Sequence, residues 1–303
     1  MPTNSFNIRT PLIIAALLLL SPFAPTINPA AQGKEQPQKA RQEVQPSKAW
    51  QTLKQDLFEN QTISQSASWL SLDAPKRAHD AALVPITITA TPPSNGDTIK
   101  HLTLIIDNNP VPVAAEFELS EQLGPLHIET RVRVDQYSHI RAIIETNKGH
   151  LFMTEKYVKA AGGCSAPAMK DMAAKKKLLG QTKLRQFTPH RSTAEKKTSG
   201  QRDVQLMVRH PNYSGLQMNQ ATGYYIPAHY VSEIIIKADD KPLMKVKGAI
   251  SLSEDPIIRF HFRSTHKRPR LNVEIRDTED QTFKNEWLLK PLVQPPPVHK
   301  SGT

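Results

Sequence analysis

The stretch that decides the fold is Leu126–Val134, which reads LHIETRVRV. Apolar and polar residues alternate along it with a period of two, the pattern of a strand with one face in a core and one toward solvent. Similar runs lie on both sides, at Val84–Thr91, His101–Asp107 and Leu151–Val158. Short strands at close spacing, separated by turns rich in proline, glycine and asparagine, predict an antiparallel β-sandwich.

The same pattern returns after Val204 and continues to the C-terminal region. Its strands are predicted at Val231–Ala238, Leu243–Ile250, Ile257–Arg263, Leu271–Arg276 and Thr282–Leu289. A short helix is predicted ahead of the first unit, over Ala49–Phe58, from apolar residues spaced three and four apart. The predicted fold class is therefore all-β, with two immunoglobulin-like antiparallel β-sandwich domains in tandem, over residues 48–164 and 204–291.

Residues 165–203 separate the two units and carry most of the positive charge of the chain. Between Lys170 and Arg202, ten Lys or Arg residues stand against Asp171 and Glu195, so this segment contributes +8 of the net charge of +11. Because strand alternation is weak here and alanine, lysine and leucine favour helix, a basic, partly helical linker is predicted. The charge belongs to a linker rather than to a folded face, so nucleic acid is not expected as a partner. A docking strip for an acidic protein is the alternative.

The N-terminal segment predicts export. Arg9 precedes the apolar run Pro11–Leu20, and small residues follow, which is the arrangement of a secretory signal peptide, predicted over residues 1–31. The run is shorter than the ~20 residues that a helix needs to cross a bilayer, so no stable membrane insertion is expected after cleavage. An uncleaved anchor is the alternative. Residues 32–47 and 292–303 are polar and proline-containing and are predicted to be disordered.

The chain has one cysteine, Cys164, within the segment AAGGCSA. An exported protein with a single thiol has no internal disulfide partner, so this thiol is either inert or functional. Gly162 and Gly163 remove side-chain bulk before it and predict an exposed thiol on a mobile stalk. Three lysines near it in sequence are expected to favour the reactive thiolate: Lys156, Lys159 and Lys170.

Other candidate residues carry weaker signals. His210 and His229 could meet in space as metal ligands, but no third ligand is apparent, and neighbouring prolines favour a structural role. The sequence holds no nucleophile elbow, no phosphate-binding glycine loop and no zinc-protease helix. A single cysteine cannot supply a covalent c-type haem site. The sequence therefore predicts neither an enzyme nor a bound cofactor.

Several segments resemble a known pair of families. LFMTEKYVKAAGGC, which ends at Cys164, resembles the C-terminal end of SoxY, the sulfur-carrier subunit whose Gly-Gly-Cys arm holds sulfur intermediates covalently; LVPITITA and IRAIIETNKGHLFM fit the same family. The second half is similar to SoxZ over Arg209–Gly215, Thr222–Ile236, Ser251–Phe262 and Asn272–Phe283. A fused chain of this kind resembles the SoxYZ-like carriers associated with quinoprotein dehydrogenases.

The resemblance implies that Cys164 is the covalent attachment residue and that Gly162 and Gly163 form a swinging arm. It also implies a periplasmic, non-enzymatic carrier that presents a sulfur-containing or other electrophilic intermediate to partner enzymes. A quinoprotein dehydrogenase and its cytochrome are the expected partners. The SoxY arm ends its chain, whereas this one continues as SAPAMKDM. A non-covalent adaptor for the dehydrogenase is the alternative function, and a disulfide-linked dimer through Cys164 is a further expectation.

Overall fold

The computed structural model describes residues 48–65, 68–91, 96–166, 177–187 and 200–292. The predicted signal peptide, the polar segment before residue 48, most of the predicted linker and the tail from residue 293 lie outside these residues. Among the described helices, none is long and apolar enough to cross a membrane.

Helix α1 (Lys48–Phe58) confirms the short helix predicted at the start of the first unit. Its Trp50 joins a small buried cluster with Ile105, Ile143 and Met153. The strands of the described chain are β1 (Ile63–Gln65), β2 (Leu70–Asp73), β3 (Val84–Ala90), β4 (Ile99–Ile106), β5 (Val113–Leu119), β6 (Leu126–Val132), β7 (Ser138–Thr146), β8 (Leu151–Val158), β9 (Thr182–Phe187), β10 (Gln201–Val208), β11 (Val231–Ala238), β12 (Lys241–Gly248), β13 (Ile257–Arg263), β14 (Arg270–Asp277) and β15 (Thr282–Leu288).

These strands form two sheets. One has the order β1-β8-β7-β4-β5-β12-β11-β14-β15, and the other has the order β2-β3-β6-β13-β10-β9. Alternate side chains of both sheets are buried in one core cluster that runs through the two halves of the chain. The predicted all-β sandwich class is confirmed.

Both sheets continue from the first half of the chain into the second. β5 pairs with β12, placing Phe117 opposite Val246, and β6 pairs with β13, placing Ile128 opposite Phe260. All four side chains are buried. The resemblance to SoxY and SoxZ implies that the second domain packs on the first, and here the two are joined edge to edge. Without this pairing, each half would leave two strand edges with unpaired backbone groups. Pairing between the halves satisfies those edges and fixes one half against the other.

A strand also lies within the predicted linker over residues 165–203. β9 pairs with β10 and places Leu184 opposite Leu206, so it forms the edge of the six-stranded sheet. Just before β9, Gly180 has φ +74° and packs so closely on the Phe283 ring that a Cβ there would lie 2.0 Å from Cδ1. The end of the predicted linker is therefore part of the sandwich.

Charged side chains cross the junction beside the β6–β13 pair. The Arg259 guanidinium lies 2.7 Å from the Asp203 carboxylate of the second half and 3.2 Å from the Glu129 carboxylate of the first. The His127 and His261 rings, one from each half, stack with centroids 4.2 Å apart. Polar contacts on this sheet thus reinforce the apolar pairing beneath it.

The continuity of the sheets predicts that the halves remain together after the chain is cut. A protease site with flexible flanks, inserted after Glu195, would separate residues before and after this point without removing a described strand. After cleavage, the two fragments are expected to elute as one species in size-exclusion chromatography and to separate only in denaturant. Separate elution under native conditions would contradict the shared sheets; the uncut insertion variant is the control.

Candidate functional site at Cys164

The segment that carries Cys164 leaves the end of β8 and lies against the rest of the sandwich. Cys164 itself has no exposed surface. The prediction of an exposed thiol is therefore wrong for this conformation. The cause is local: contacts from both halves of the chain hold residues 162–166, and Gly163 and Cys164 are buried within this segment.

The two glycines before the thiol dock this segment. Gly162 is exposed, has φ +76°, and donates its N–H to the Asp135 carbonyl at 2.7 Å. Gly163 is buried and donates to the Val134 carbonyl at 3.1 Å. A Cβ on Gly163 would lie 2.1 Å from the Ala81 carbonyl oxygen, so only glycine fits without movement. The predicted mobile stalk is a docked turn in this structure.

A loop of the second half closes over the docked segment. We call residues 210–217 the clasp loop. The Ser214 hydroxyl donates to the Cys164 carbonyl at 2.5 Å, and the Gln217 side-chain amide donates to the Ala166 carbonyl at 3.1 Å. Ser214 and Gln217 are themselves linked, because the Ser214 N–H donates to Gln217 Oε1 at 3.1 Å. The clasp loop thus holds the backbone on both sides of Ser165, at the Cys164 and Ala166 carbonyls.

Asn212 fixes the shape of the clasp loop. It is fully buried and adopts φ +44°, a left-handed conformation that asparagine tolerates better than most residues. Its side-chain amide donates to the Ser253 carbonyl at 3.1 Å, and its Oδ1 accepts the Val231 N–H at 3.0 Å. These contacts tie the loop to β11 and to the turn before β13, so the sheets set its position.

The environment of Cys164 disfavours its thiolate. Burial raises the pKa of the thiol from its usual value near 9 to about 11; the Asp135 carboxylate adds to the rise and the Arg133 guanidinium opposes it. Asp135 also accepts the Cys164 N–H on Oδ1 at 3.3 Å. The expectation that Lys156 and Lys159 activate the thiol is wrong, because neither contributes to the pKa shift and desolvation is the largest effect. Lys170 lies outside the described residues. At neutral pH the docked thiol is protonated and a poor nucleophile.

Arg133 lies beside this site and is buried, with 1% exposure. Its Nη1 donates to the Asn212 carbonyl of the clasp loop at 2.7 Å and to the Leu252 carbonyl at 2.8 Å. Burial lowers its pKa, while the charges of Cys164, Glu254 and Asp80 oppose that effect. Arginine nevertheless stays charged in proteins. The guanidinium therefore places a positive charge between the first half and the clasp loop.

The two histidines selected from the sequence do meet, and Asp277 joins them. The His229 Nε2 lies 2.9 Å from Asp277 Oδ2, and the His210 Nε2 lies 3.5 Å from the same oxygen. The ligand atoms of the three residues lie within 4.8 Å of one another, a spacing that one metal ion could bridge. Sequence reasoning found both rings and missed the carboxylate, which lies at the end of β14.

Hydrogen bonding favours a structural role for this cluster. The backbone N–H of Asn212 donates to His210 Nδ1 at 3.1 Å, so the proton of the neutral ring resides on Nε2 and no lone pair faces Asp277 there. Burial, with the charge of His229, lowers the His210 pKa to about 4, which keeps the ring neutral. The cluster supports the start of the clasp loop through these contacts, and a structural role for the two histidines stays a prediction.

Sequence reasoning also missed the groups that surround the thiol: Arg133, Asp135, Ser214 and Gln217. Arg133 occupies an outward position in the alternation of LHIETRVRV, which reads as solvent-facing. Val132 and Val134 are buried in the core, and Arg133 between them is buried as well because the clasp loop covers the opposite face of the chain. The RHPNYSG segment that contains Ser214 stood out only through its likeness to a family.

Comparisons with known proteins identify both halves of the chain. The family model of sulfur oxidation protein SoxY matches residues 54–164, and that of sulphur oxidation protein SoxZ matches residues 191–287. No curated protein matches significantly.

Solved structures resemble the chain only distantly. The sulfur carrier protein SoxY from Chlorobium limicola f. thiosulfatophilum is 19% identical, with a TM-score of 0.31, over 37% of this chain and 91% of that one. Two variants of superoxide reductase (neelaredoxin) from Ignicoccus hospitalis are 13% and 12% identical, with TM-scores of 0.26 and 0.27. They cover 30% and 34% of this chain and 78% and 83% of their own chains.

The contribution of Asp135 to the thiol pKa gives a direct prediction. Asp135→Asn keeps an oxygen for the Cys164 N–H but removes the negative charge, so the Cys164 pKa is expected to fall from about 11. A fall of up to about one unit would correspond to roughly 1.4 kcal/mol of interaction. Because the chain has one cysteine, selective ¹³C labelling gives a single Cβ signal whose pH titration reports this pKa. An unchanged or higher midpoint would exclude the electrostatic effect; Asp73→Asn, at the exposed end of β2, is the control.

Proposed function

Because this chain is a SoxYZ-like protein, with a SoxY domain and a SoxZ domain fused in tandem, we propose that it is a carrier protein of sulfur oxidation. In this proposal, Cys164 Sγ holds a sulfur-containing intermediate and presents it to partner enzymes. The supporting observation is that the one cysteine ends the SoxY match and that its segment is held by residues of the SoxZ match: Ser214 binds the Cys164 carbonyl and Gln217 binds the Ala166 carbonyl. The second domain then acts directly on the attachment site.

The buried thiol fits a resting, unloaded carrier. A protonated thiol without exposed surface resists oxidation and disulfide exchange, which act on accessible thiolates. This protection is valuable in the periplasm, where the N-terminal segment is expected to direct the chain. A disulfide-linked dimer through Cys164 requires the same undocking as loading, so the dimer belongs to the open state.

Loading requires residues 162–166 to undock. The Ser214 and Gln217 hydrogen bonds and the two glycine N–H bonds hold them, each worth about 1 kcal/mol net. Opening against several such bonds leaves the thiol accessible for a small fraction of the time. A partner that binds the undocked segment shifts this equilibrium in proportion to its preference for that state. The clasp loop thus couples access to Cys164 to partner binding.

Electron balance favours a redox partner. Joining the Cys164 thiol to a sulfur anion through an S–S bond removes two electrons and one proton. The described residues contain one thiol and no disulfide, so the electrons must pass to another protein. A quinoprotein dehydrogenase with its cytochrome is the partner we propose for this step, and the carrier itself performs no catalysis.

The burial of Cys164 favours a second candidate function, a non-covalent adaptor for the same dehydrogenase. In this case the Cys164 backbone carbonyl, held by Ser214, would matter and the thiol would not. The two candidates differ in whether replacement of the sulfur atom abolishes activity.

The clasp predicts that loss of one hydroxyl exposes the thiol. Ser214→Ala removes the bond to the Cys164 carbonyl, worth about 1 kcal/mol, so labelling of Cys164 by a neutral maleimide is expected to accelerate about fivefold. The rate is measured at pH 7 by intact mass spectrometry. Ser232→Ala, which removes an exposed hydroxyl bonded to the Arg276 carbonyl, is the matched control. Equal rates for all three proteins would show that Ser214 does not restrain the segment.

The carrier function predicts an adduct on one residue. Protein purified without reductant from cells that are oxidising reduced sulfur compounds is expected to carry a discrete sulfur-containing mass on the peptide with Cys164. Cys164→Ser should abolish the adduct and the sulfur-dependent respiration while leaving the melting temperature within a few degrees. Full respiration in the Cys164→Ser strain would overturn the carrier and favour the adaptor.

A further inference from the structure

The charge of Arg133 is unusual for a residue buried to this degree. None of the ion pairs within the described residues involves its guanidinium, which instead donates from Nη1 to backbone carbonyls of Asn212, Leu252 and, at 3.4 Å, Ile250. A charge removed from water is costly unless it is paired with an opposite charge. Three neutral carbonyls satisfy hydrogen bonds without neutralising the charge, and the Glu254 and Asp80 carboxylates act on it without forming an ion pair with it. The Arg133 guanidinium therefore remains able to form an ion pair with an anion.

One nitrogen atom of the Arg133 guanidinium also lacks a hydrogen-bond partner among the described residues. This atom is Nε, which is buried. Leaving a buried donor without a partner costs about 1–3 kcal/mol, so such donors are rare in folded proteins. A buried cation with an unsatisfied donor can bind an anion through a charge-assisted hydrogen bond. Arg131 and Arg202 also have an Nε without a partner among the described residues, but of the three only Arg133 acts on the charge of Cys164.

This donor belongs to the Cys164 site. Arg133 holds the clasp loop at the Asn212 carbonyl, and two residues later the same loop holds the Cys164 carbonyl through Ser214. On the other side, buried Asn109 donates to the Arg133 carbonyl at 2.8 Å and accepts the Asp135 N–H at 2.9 Å. Asp135 in turn accepts the Cys164 N–H. The guanidinium and the thiol are therefore anchored to the same two short segments.

We propose that Arg133 is the anion-binding residue of the Cys164 site, and that its free Nε receives a negatively charged group of the cargo attached to Sγ. The proposal rests on the carrier function and specifies the cargo as an anionic group joined to sulfur. The Asp135 carboxylate lies on the backbone side of Cys164, where it binds the N–H, so the anion is directed toward Arg133. Docking of a loaded segment would thereby give the Arg133 guanidinium a direct ion pair.

Two alkylating reagents of similar size and different charge test this proposal. Iodoacetate leaves a carboxylate on Sγ and iodoacetamide leaves a neutral amide; in both reactions the sulfur displaces iodide. Alkylation itself takes place on the undocked segment, so the two adducts are compared after docking, by the ratio of their unfolding equilibrium constants in denaturant. In the full-length wild-type protein, this ratio is expected to favour the carboxymethyl adduct about tenfold more strongly than in Arg133→Gln, the value of one charge-assisted hydrogen bond.

Arg131→Gln is the matched control for this experiment. Arg131 lies on the same stretch of chain, is partly buried, and donates to the Asp255 carbonyl. Its replacement is expected to leave the wild-type ratio unchanged. Equal ratios in wild type and Arg133→Gln would overturn the proposal and leave Arg133 with a structural role in the clasp loop.

A second measurement avoids the Arg133 variant, which loses contacts to three carbonyls and can fail to fold. Wild-type protein carrying carboxymethyl-Cys164 is expected to melt at a higher temperature than wild-type protein carrying carbamidomethyl-Cys164 at pH 7, because only the carboxylate pairs with the guanidinium. A lower or equal melting temperature for the carboxymethyl protein would overturn the anion site. Neither readout depends on respiration. The anion site can therefore be excluded while the carrier function stands, and the carrier function can be excluded while the anion site stands.

Discussion

Strand β5 pairs with β12 and strand β6 pairs with β13, and through these two junctions the SoxY half and the SoxZ half share both sheets. The junctions set where the clasp loop lies, because Asn212 is tied to β11 and to the turn before β13. They also set where Arg133 and Asp135 lie, since these residues follow β6 directly. The site around Cys164 exists only where the two halves meet.

The chemistry of the thiol follows from that enclosure. Desolvation holds Cys164 in its protonated form and the clasp loop covers its backbone, so the resting carrier is protected and unreactive. An exposed thiol ionises near pH 9, whereas the docked thiol stays protonated until about pH 11. Between these pH values the thiolate forms only in the undocked segment, so alkaline conditions favour undocking. Both ends of the segment remain anchored, at β8 and β9, which limits how far Cys164 can move from the sandwich.

Much of this fold could be predicted from the sequence, since the alternation of LHIETRVRV and its neighbours follows from burial of one strand face. The partner of each strand could not, because period-two alternation fixes which face is buried and not which edge is paired. The pair Gly162 and Gly163 predicted a mobile stalk, but glycine is found both in flexible segments and where two backbones approach closely. Gly163 is needed for close approach, because the Ala81 carbonyl is too near for a Cβ. Cys164 was found from its uniqueness, whereas Arg133 looked like a solvent-facing residue until the clasp loop was placed over it.

Enclosure of the resting thiol is the central feature of this site, and one rate comparison tests it directly. Labelling of Cys164 by a neutral maleimide would be measured at pH 8 in the native, reduced protein and in a synthetic peptide of residues 159–169. The protein is expected to react more slowly than the peptide by at least about tenfold, since docking both covers the thiol and raises its pKa to about 11. Equal rates in protein and peptide would contradict the docked segment and return Cys164 to an open, mobile arm.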